Sequence, residues 1–211
     1  MSEPEAGLDL LLLRHPPVAL PPGHCYGWLD VPLAPPATQT LVAAVARVQA
    51  RLQAWGLRPA CVVSSPSSRC LDLARALAAT PECAGSGPAL AVRVDARWRE
   101  LHFGRWEGRR WDDIPRHESD PWAEDVHHRA PPEGETRAAL LARVQDALQA
   151  LRRQPGPCLV VAHAGPLRAV LAQALGQPPG QVPDMPLDCA HLSWLRWPAH
   201  AAHPQALQLN Q

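Results

Sequence analysis

Two histidines close short apolar runs in this sequence. Leu12-Leu13-Arg14-His15 ends the first, and Val161-Ala162-His163-Ala164-Gly165 ends the third. The second run, residues 60–63, leads into Ser64-Ser65-Pro66-Ser67-Ser68-Arg69. Imidazole in its neutral form is a nucleophile and a hydrogen-bonding group, while guanidinium presents a rigid fork of donors that matches phosphate or carboxylate. Two Arg and two His with no carboxylate among them describe an anion site. Arg69 carries a further signal. It falls in the first turn of a predicted helix, where a cation opposes the helix dipole, a local inconsistency that often marks function. The bland alternative is an Arg that merely reaches into solvent. A lone His after a buried strand is more often structural, but a pair, each beside an anion-friendly group, reverses that reading.

Strands must deliver these residues to one place. Runs 8–13, 60–63 and 158–162 are too short for helices, and the second and third are rich in Val, as strands covered on both faces are. Helical stripes lie between and after them. Leu41, Val45, Val48, Leu52 and Trp55 follow Pro35-Pro36 and a Thr38 N-cap. Leu73 and Leu77 belong to a helix predicted to begin with Ser65 as N-cap and Pro66 at its first position. Leu140, Leu141, Val144, Leu148 and Leu151 form a third stripe, and residues 167–175, ending at Gly176, form a fourth. This alternation predicts an α/β chain: a three-layer α/β/α sandwich with a mostly parallel central sheet and helices on both faces. Ligands of open parallel sheets bind outside the carboxyl ends of the strands, where all three runs place their reactive residues. Residues 91–94 and 189–196 read as further strands, the second after a Pro-rich loop at 178–186. The chain reads as a single domain, 1–211, with a helical insertion around 97–132 that is rich in Trp, charge and Pro.

Composition narrows the chemistry by exclusion. The twenty basic residues balance twenty acidic ones, and all twenty are Arg. A chain without Lys has no Schiff-base lysine, no P-loop lysine and no kinase-type strand lysine. Net charge near zero removes the electrostatic case for nucleic acid or an anionic membrane as partner. The six Cys show neither C-x-x-C spacing nor a disulfide framework, so a reducing compartment is expected, and Cys61, Cys158 and Cys189 sit in apolar or strand-like runs as small hydrophobes. The N-terminal MSEPEAGLDLLLLRH is acidic where a signal peptide is basic, and no stretch approaches ~18 apolar residues, so a cytoplasmic protein is expected. A zinc protein is rejected: His127-His128 diverge by ~100° on a helix, and no H-x-x-x-H or Cys pair accompanies them. No metal and no cofactor is expected.

Taken in order, the motifs resemble those of the histidine phosphatase (phosphoglycerate-mutase-like) superfamily over roughly residues 8–176. Leu12-Leu13-Arg14-His15 resembles its R-H motif, and Ser64-Ser65-Pro66-Ser67-Ser68-Arg69 its second arginine motif. Arg99-Glu100-Leu101-His102-Phe103-Gly104-Arg105-Trp106-Glu107-Gly108 resembles its acid motif, and Val161-Ala162-His163-Ala164-Gly165 its second-histidine motif. Pro132-Glu133-Gly134-Glu135-Thr136 matches a further family segment before a helix. Within the superfamily, Gly23-His24-Cys25-Tyr26-Gly27-Trp28-Leu29-Asp30-Val31-Pro32-Leu33 and the Phe-Gly-x-Trp-Glu-Gly stretch look most like the α-ribazole phosphatase branch of cobalamin biosynthesis.

The resemblance implies a phosphomonoesterase working in two steps on a small phosphorylated substrate. His15 would attack phosphorus through Nε2 and become a phosphohistidine. Arg14, Arg69 and His163 would hold the equatorial oxygens, helped by a backbone N–H near Ala164. Glu100 would protonate the leaving alkoxide and then deprotonate the hydrolytic water, as one carboxylate can. Glu107 competes for that role or braces the loop. Tyr26, Trp28 and Trp106 are the expected substrate-loop residues, although core and lid packing is the stronger expectation for the Trp set at 28, 98, 106, 111 and 122. α-Ribazole 5′-phosphate is the substrate implied. The alternatives are a phosphoglycerate mutase, whose members carry a longer segment after the acid motif, and a phosphoryl-ligand-binding module without activity. A homodimer is an open expectation.

One departure stands out: Pro16-Pro17 follow His15 where the family usually has Gly and a polar or acidic residue. Pro lacks the N–H but keeps its carbonyl, and a carbonyl near this position is expected to accept from His15 Nδ1–H. Loop 16–28 is therefore expected to read a different leaving group.

Overall fold

The computed structural model describes residues 7–154, 156–178, 181 and 185–211; the N-terminal tail 1–6 and five residues of the predicted loop 178–186 lie outside them. Among the described residues the chain builds one six-stranded sheet in the order β3-β2-β4-β1-β5-β6. The strands are β1 Leu8–Arg14, β2 Cys61–Ser64, β3 Val92–Val94, β4 Cys158–Ala162, β5 Leu192–Trp197 and β6 Gln205–Gln208. Pairs β1/β4, β2/β4 and β2/β3 are parallel, and β5 and β6 add an antiparallel edge. Helices α1 Ala37–Trp55, α2 Ser68–Ala78, α3 Pro81–Ala84, α4 Arg116–Glu124, α5 Arg137–Leu151 and α6 Ala164–Ala174 complete the architecture.

The unbroken Leu run in β1 sorts itself by strand alternation. Leu10 and Leu12 pack with Val144, Leu148, Leu167 and Val170 of α5 and α6. Leu11 and Leu13 pack with Val48, Leu52, Leu73 and Leu77 of α1 and α2 on the other face. Both faces are dry, so each of these Leu contributes roughly 1.5–3 kcal/mol from burial. This is the three-layer α/β/α arrangement that the alternation of strand and helix predicts.

Several boundaries differ from the sequence expectation. Helix α1 starts at Ala37 with Pro36 before it and no side-chain cap, so Thr38 lies inside the first turn. Helix α2 starts at Ser68, and Ser67 rather than Ser65 holds the extended N-cap conformation. The Ser-rich stretch offers several caps, and the one that wins leaves Ser65 free for the site below. Helix α6 begins at Ala164, directly after His163 and three residues earlier than its first apolar stripe residue. Strand β6 reads Gln-Ala-Leu-Gln at the sheet edge, with no apolar alternation to announce it. Residues 96–124 hold three 3₁₀ turns, Ala96–Trp98, Gly104–Trp106 and Trp111–Asp113, before α4. No helix among the described residues is long and apolar enough to cross a membrane.

Candidate active site

Sheet register assembles the site. Arg14 is the partner of Ala162, and Ser64 of Val161, so the three central strands end at one level. The pairing runs one residue further: His15 N–H donates to Ala162 O at 3.0 Å, and Ser65 N–H to Val161 O at 3.0 Å. The next side chains, His15 and His163, meet edge to face with ring centroids 5.2 Å apart.

His15 is buried, and its Nδ1 lies 2.7 Å from the Pro16 carbonyl oxygen. A carbonyl can only accept, so Nδ1 carries the hydrogen and Nε2 keeps its lone pair. Burial first, then the charges of Arg69 and Arg14, outweigh that hydrogen bond and lower the His15 pKa from 6.5 to about 3. The ring is a neutral imidazole of fixed tautomer. The expected carbonyl is supplied by Pro16 itself, so the proline in place of glycine leaves this feature intact.

Arg69 is fully buried, which rules out the reading of a solvent-seeking side chain. Its guanidinium donates to the carbonyls of Leu29 at 2.9 Å and Gly27 at 2.7 Å, and to His163 Nδ1 at 3.2 Å. A guanidinium cannot accept, so His163 Nδ1 accepts and its Nε2–H faces Ser65 Oγ at 2.8 Å. Burial, then the neighbouring His15 and Arg69, hold His163 well below the ordinary histidine range. Arg14 donates to Leu187 O at 2.5 Å. The Nε groups of both Arg14 and Arg69 are buried with no hydrogen-bond partner among the described residues. Orphaned buried donors are costly, and an oxyanion is the ligand that satisfies charged ones.

Glu100 reaches the same pocket from the loop after the first 3₁₀ turn. One carboxyl oxygen accepts from Leu101 N–H at 2.9 Å, the other from Gly165 N–H at 3.1 Å in the first turn of α6. A Cβ on Gly165 would sit 2.0 Å from Glu100 Oε1, so glycine is what permits this approach. The backbone that carries Glu100 is gripped by Arg143 of α5, which donates to the carbonyls of Arg97, Arg99 and Glu100 at 2.7, 2.6 and 2.9 Å and pairs with Glu135. Glu135 also accepts from His102 N–H at 3.0 Å. Glu107 resolves differently: its carboxylate accepts from the backbone N–H groups of Trp28, Leu29 and Phe103. With those bonds it braces the loop and is spoken for.

A pocket of about 430 Å³ opens over these groups, lined by Arg14, His15, Glu100, His163, Ala164 and Gly165 at its polar end. Tyr26 is in the wall. Trp106 is not: it is fully buried in a small cluster with Cys25 and Ile114, and its indole N–H donates to Glu118 at 2.8 Å. A motif position says nothing of which way a side chain turns, and here the 3₁₀ turn points Trp106 inward. Trp28 is also outside the lining; it stacks on His102 and donates to Glu100 O at 2.8 Å, steadying the acid loop from behind. The aromatic wall is instead Phe103, Trp111 and Trp122, with the two indoles near-parallel at 20° and 6.1 Å apart. Two further lining residues, Arg137 and Arg168, went unread in the sequence. Arg137 opens α5, so the dipole inconsistency that singled out Arg69 would have found it. All six Cys are unpaired. Among the described residues no cluster of three or more His, Cys, Asp or Glu is placed to hold a metal ion.

Comparison with known proteins agrees with this geometry. The model of the histidine phosphatase superfamily (branch 1) matches residues 10–210. A glucosyl-3-phosphoglycerate phosphatase of Mycobacterium tuberculosis (strain CDC 1551 / Oshkosh) is 30% identical over 207 residues, which cover 92% of this chain and 86% of that protein. Its namesake from Mycolicibacterium vanbaalenii is 29% identical over 204 residues, 90% and 84% of the two chains. Among solved structures, mycobacterial glucosyl-3-phosphoglycerate phosphatase in complex with VO3 superposes with a TM-score of 0.72 at 28% identity, covering 96% of this chain and 98% of that one. The alpha-ribazole phosphatase from Shigella flexneri reaches a TM-score of 0.78 over 96% of each chain at 21% identity, a likeness of fold.

Proposed function

The chain belongs to the histidine phosphatase superfamily and is a phosphomonoester hydrolase, and on that footing we propose that it works through a phosphohistidine formed on His15. Neutral Nε2 attacks phosphorus as the P–O bond to the leaving group breaks. Glu100 gives the departing alkoxide its proton. Water then attacks the phosphohistidine, losing a proton to Glu100, and the N–P bond breaks to release phosphate and restore both residues. Arg14, Arg69 and His163 take the equatorial oxygens with the N–H near Ala164, the oxyanion competing with Ser65 Oγ for the His163 Nε2–H. The observation that carries this reading is the Nδ1–H of His15 held on the Pro16 carbonyl in a pocket that keeps the ring neutral. A nucleophile must be unprotonated at the attacking atom, and fixing one tautomer ensures it.

The same bond argues against an inactive binding module, because Pro16 preserves what the nucleophile needs. For the leaving group, the sequence resemblance favours α-ribazole 5′-phosphate and a cytoplasmic role in cobalamin biosynthesis. A second reading, glucosyl-3-phosphoglycerate, is favoured by relatives of that name aligned over nine-tenths of the chain. The test is phosphate release from both compounds, from 3-phosphoglycerate and from an aryl phosphate, with His15→Ala beside wild type. Loss of all turnover in His15→Ala is expected; wild-type rates in that variant would remove the mechanism, and interconversion of 2- and 3-phosphoglycerate would make the protein a mutase.

A further inference from the structure

The proposed phosphoryl transfer uses Arg14 in the pocket lining and Arg69 buried behind it, yet the lining holds two further guanidinium groups, Arg137 and Arg168. Arg137 is the first residue of α5. Arg168 lies one turn beyond Ala164 on α6, about 6 Å further along the helix axis, and helical side chains lean back toward the N-terminus. Both are half-buried, so neither is a simple solvated surface charge. Burial and the charge of Arg168 hold Arg137 below the ordinary arginine range. Arg168 donates to Met185 O at 3.1 Å, while its Nε is buried with no hydrogen-bond partner among the described residues. No ion pair forms between either guanidinium and a carboxylate of the described residues. Among the described residues Glu100 is the one carboxyl group in the lining, and both its oxygens already accept backbone N–H groups.

The charge balance is what makes this informative. A phosphomonoester brings up to two negative charges, which Arg14 and Arg69 answer. In the step where Glu100 carries the proton, the two guanidinium charges of Arg137 and Arg168 then remain unanswered by any described residue in a pocket of about 430 Å³, each raising the cost of the other. A second anion removes that repulsion and fills the orphaned donor; a neutral leaving group does neither. The aromatic wall of Trp111 and Trp122 in the same pocket suits a sugar or flat ring joining the two anions.

We propose that Arg137 and Arg168 form a second-anion subsite, selecting phosphomonoesters whose leaving group carries its own carboxylate or phosphate. The inference rests on the phosphatase reading of this pocket and sets the substrate class within it. It disfavours a nucleoside leaving group without an acid.

Matched substrates test it. The kcat/KM ratio is measured for 3-phosphoglycerate over glycerol 3-phosphate, which differ by a carboxylate, and for fructose 1,6-bisphosphate over fructose 6-phosphate, which differ by a phosphate. Wild type should favour the more anionic member of one pair by roughly 10- to 100-fold, and the favoured pair identifies the anion. In Arg137→Gln/Arg168→Gln that ratio should fall toward one, and Arg137→Lys/Arg168→Lys should recover part of it, which a misfolded protein could not. Ratios near one in wild type for both pairs, or ratios untouched by the double Gln variant, overturn the subsite. If no compound is turned over, calorimetric binding of 3-phosphoglycerate and glycerol 3-phosphate to His15→Asn decides separately. A preference abolished by the double Gln change keeps the subsite while the catalytic reading fails. Equal binding of the two overturns it.

Discussion

At His15 a single hydrogen bond and a dry surrounding decide what the ring can do. With its pKa lowered to about 3, the proposed nucleophile stays neutral throughout the range in which enzymes usually work. Protonation of His15 should therefore cost no activity until the pH approaches that value, and a pH–rate profile that loses kcat/KM with a midpoint near 6.5 traced to His15 would contradict this. Stability should behave oppositely. The folded state keeps His15 and His163 neutral, whereas the unfolded chain protonates both below the ordinary value of 6.5. The unfolded state then binds more protons, so stability falls as pH drops from 6.5, by at most about 1.4 kcal/mol per pH unit for each ring. Urea denaturation at pH 7 and pH 5 should show that slope, and His15→Asn should flatten it; an unchanged slope would mean the ring is not buried neutral. Arg14, His15 and His163 were legible in the sequence because each lies at or directly after a strand end, and Arg69 because it sits in the first turn of the helix that follows one. Arg168 was not, since an Arg in mid-helix has no local signature, and Trp106 was misread because spacing does not show which way a loop residue turns.

Among the elements, α5 and the start of α6 together place Glu100, the proposed acid. Arg143 holds three carbonyls of the loop that carries Glu100, and such charge-assisted bonds contribute roughly 1.5–3 kcal/mol each. Arg143→Met should lower kcat more than it raises KM and lower the melting temperature; loss confined to stability would make Arg143 a fold residue only. Gly165→Ala is the sharper probe. Ala favours the helix by up to about 1 kcal/mol over Gly, but its Cβ would fall 2.0 Å from Glu100 Oε1. The expected outcome is a protein at least as helical whose kcat drops by roughly 100- to 10,000-fold, the usual weight of a general acid. Wild-type turnover in Gly165→Ala would remove Glu100 from that role. Helix faces were readable from their Leu and Val spacing, whereas the start of α2 was not, because four Ser compete as caps and tertiary contact with His163 claims Ser65. β6 was invisible for want of any apolar pattern.

Over the whole molecule, a chain of zero net charge concentrates positive charge where three strands end. The strand–helix alternation announced the sheet and its layers because both sheet faces must be covered, which fixes where ligands bind. What alternation cannot show is how the segment between β3 and α5 folds over that edge, and there lie the aromatic wall residues Phe103, Trp111 and Trp122. An oxyanion that fills the pocket should stabilise the entire fold. Orthovanadate at a hundred times its Kd adds about 2.7 kcal/mol, a rise of roughly 5–10 °C in melting temperature for a chain of this size, and Arg69→Gln should abolish most of it. An equal rise in that variant would place the anion elsewhere. The central claim is the covalent bond on His15. Wild-type protein quenched during turnover of a ³²P-labelled substrate should carry label that is lost in acid, survives alkali and maps to the peptide containing His15. Label that survives acid, or that maps to any other residue, would contradict it.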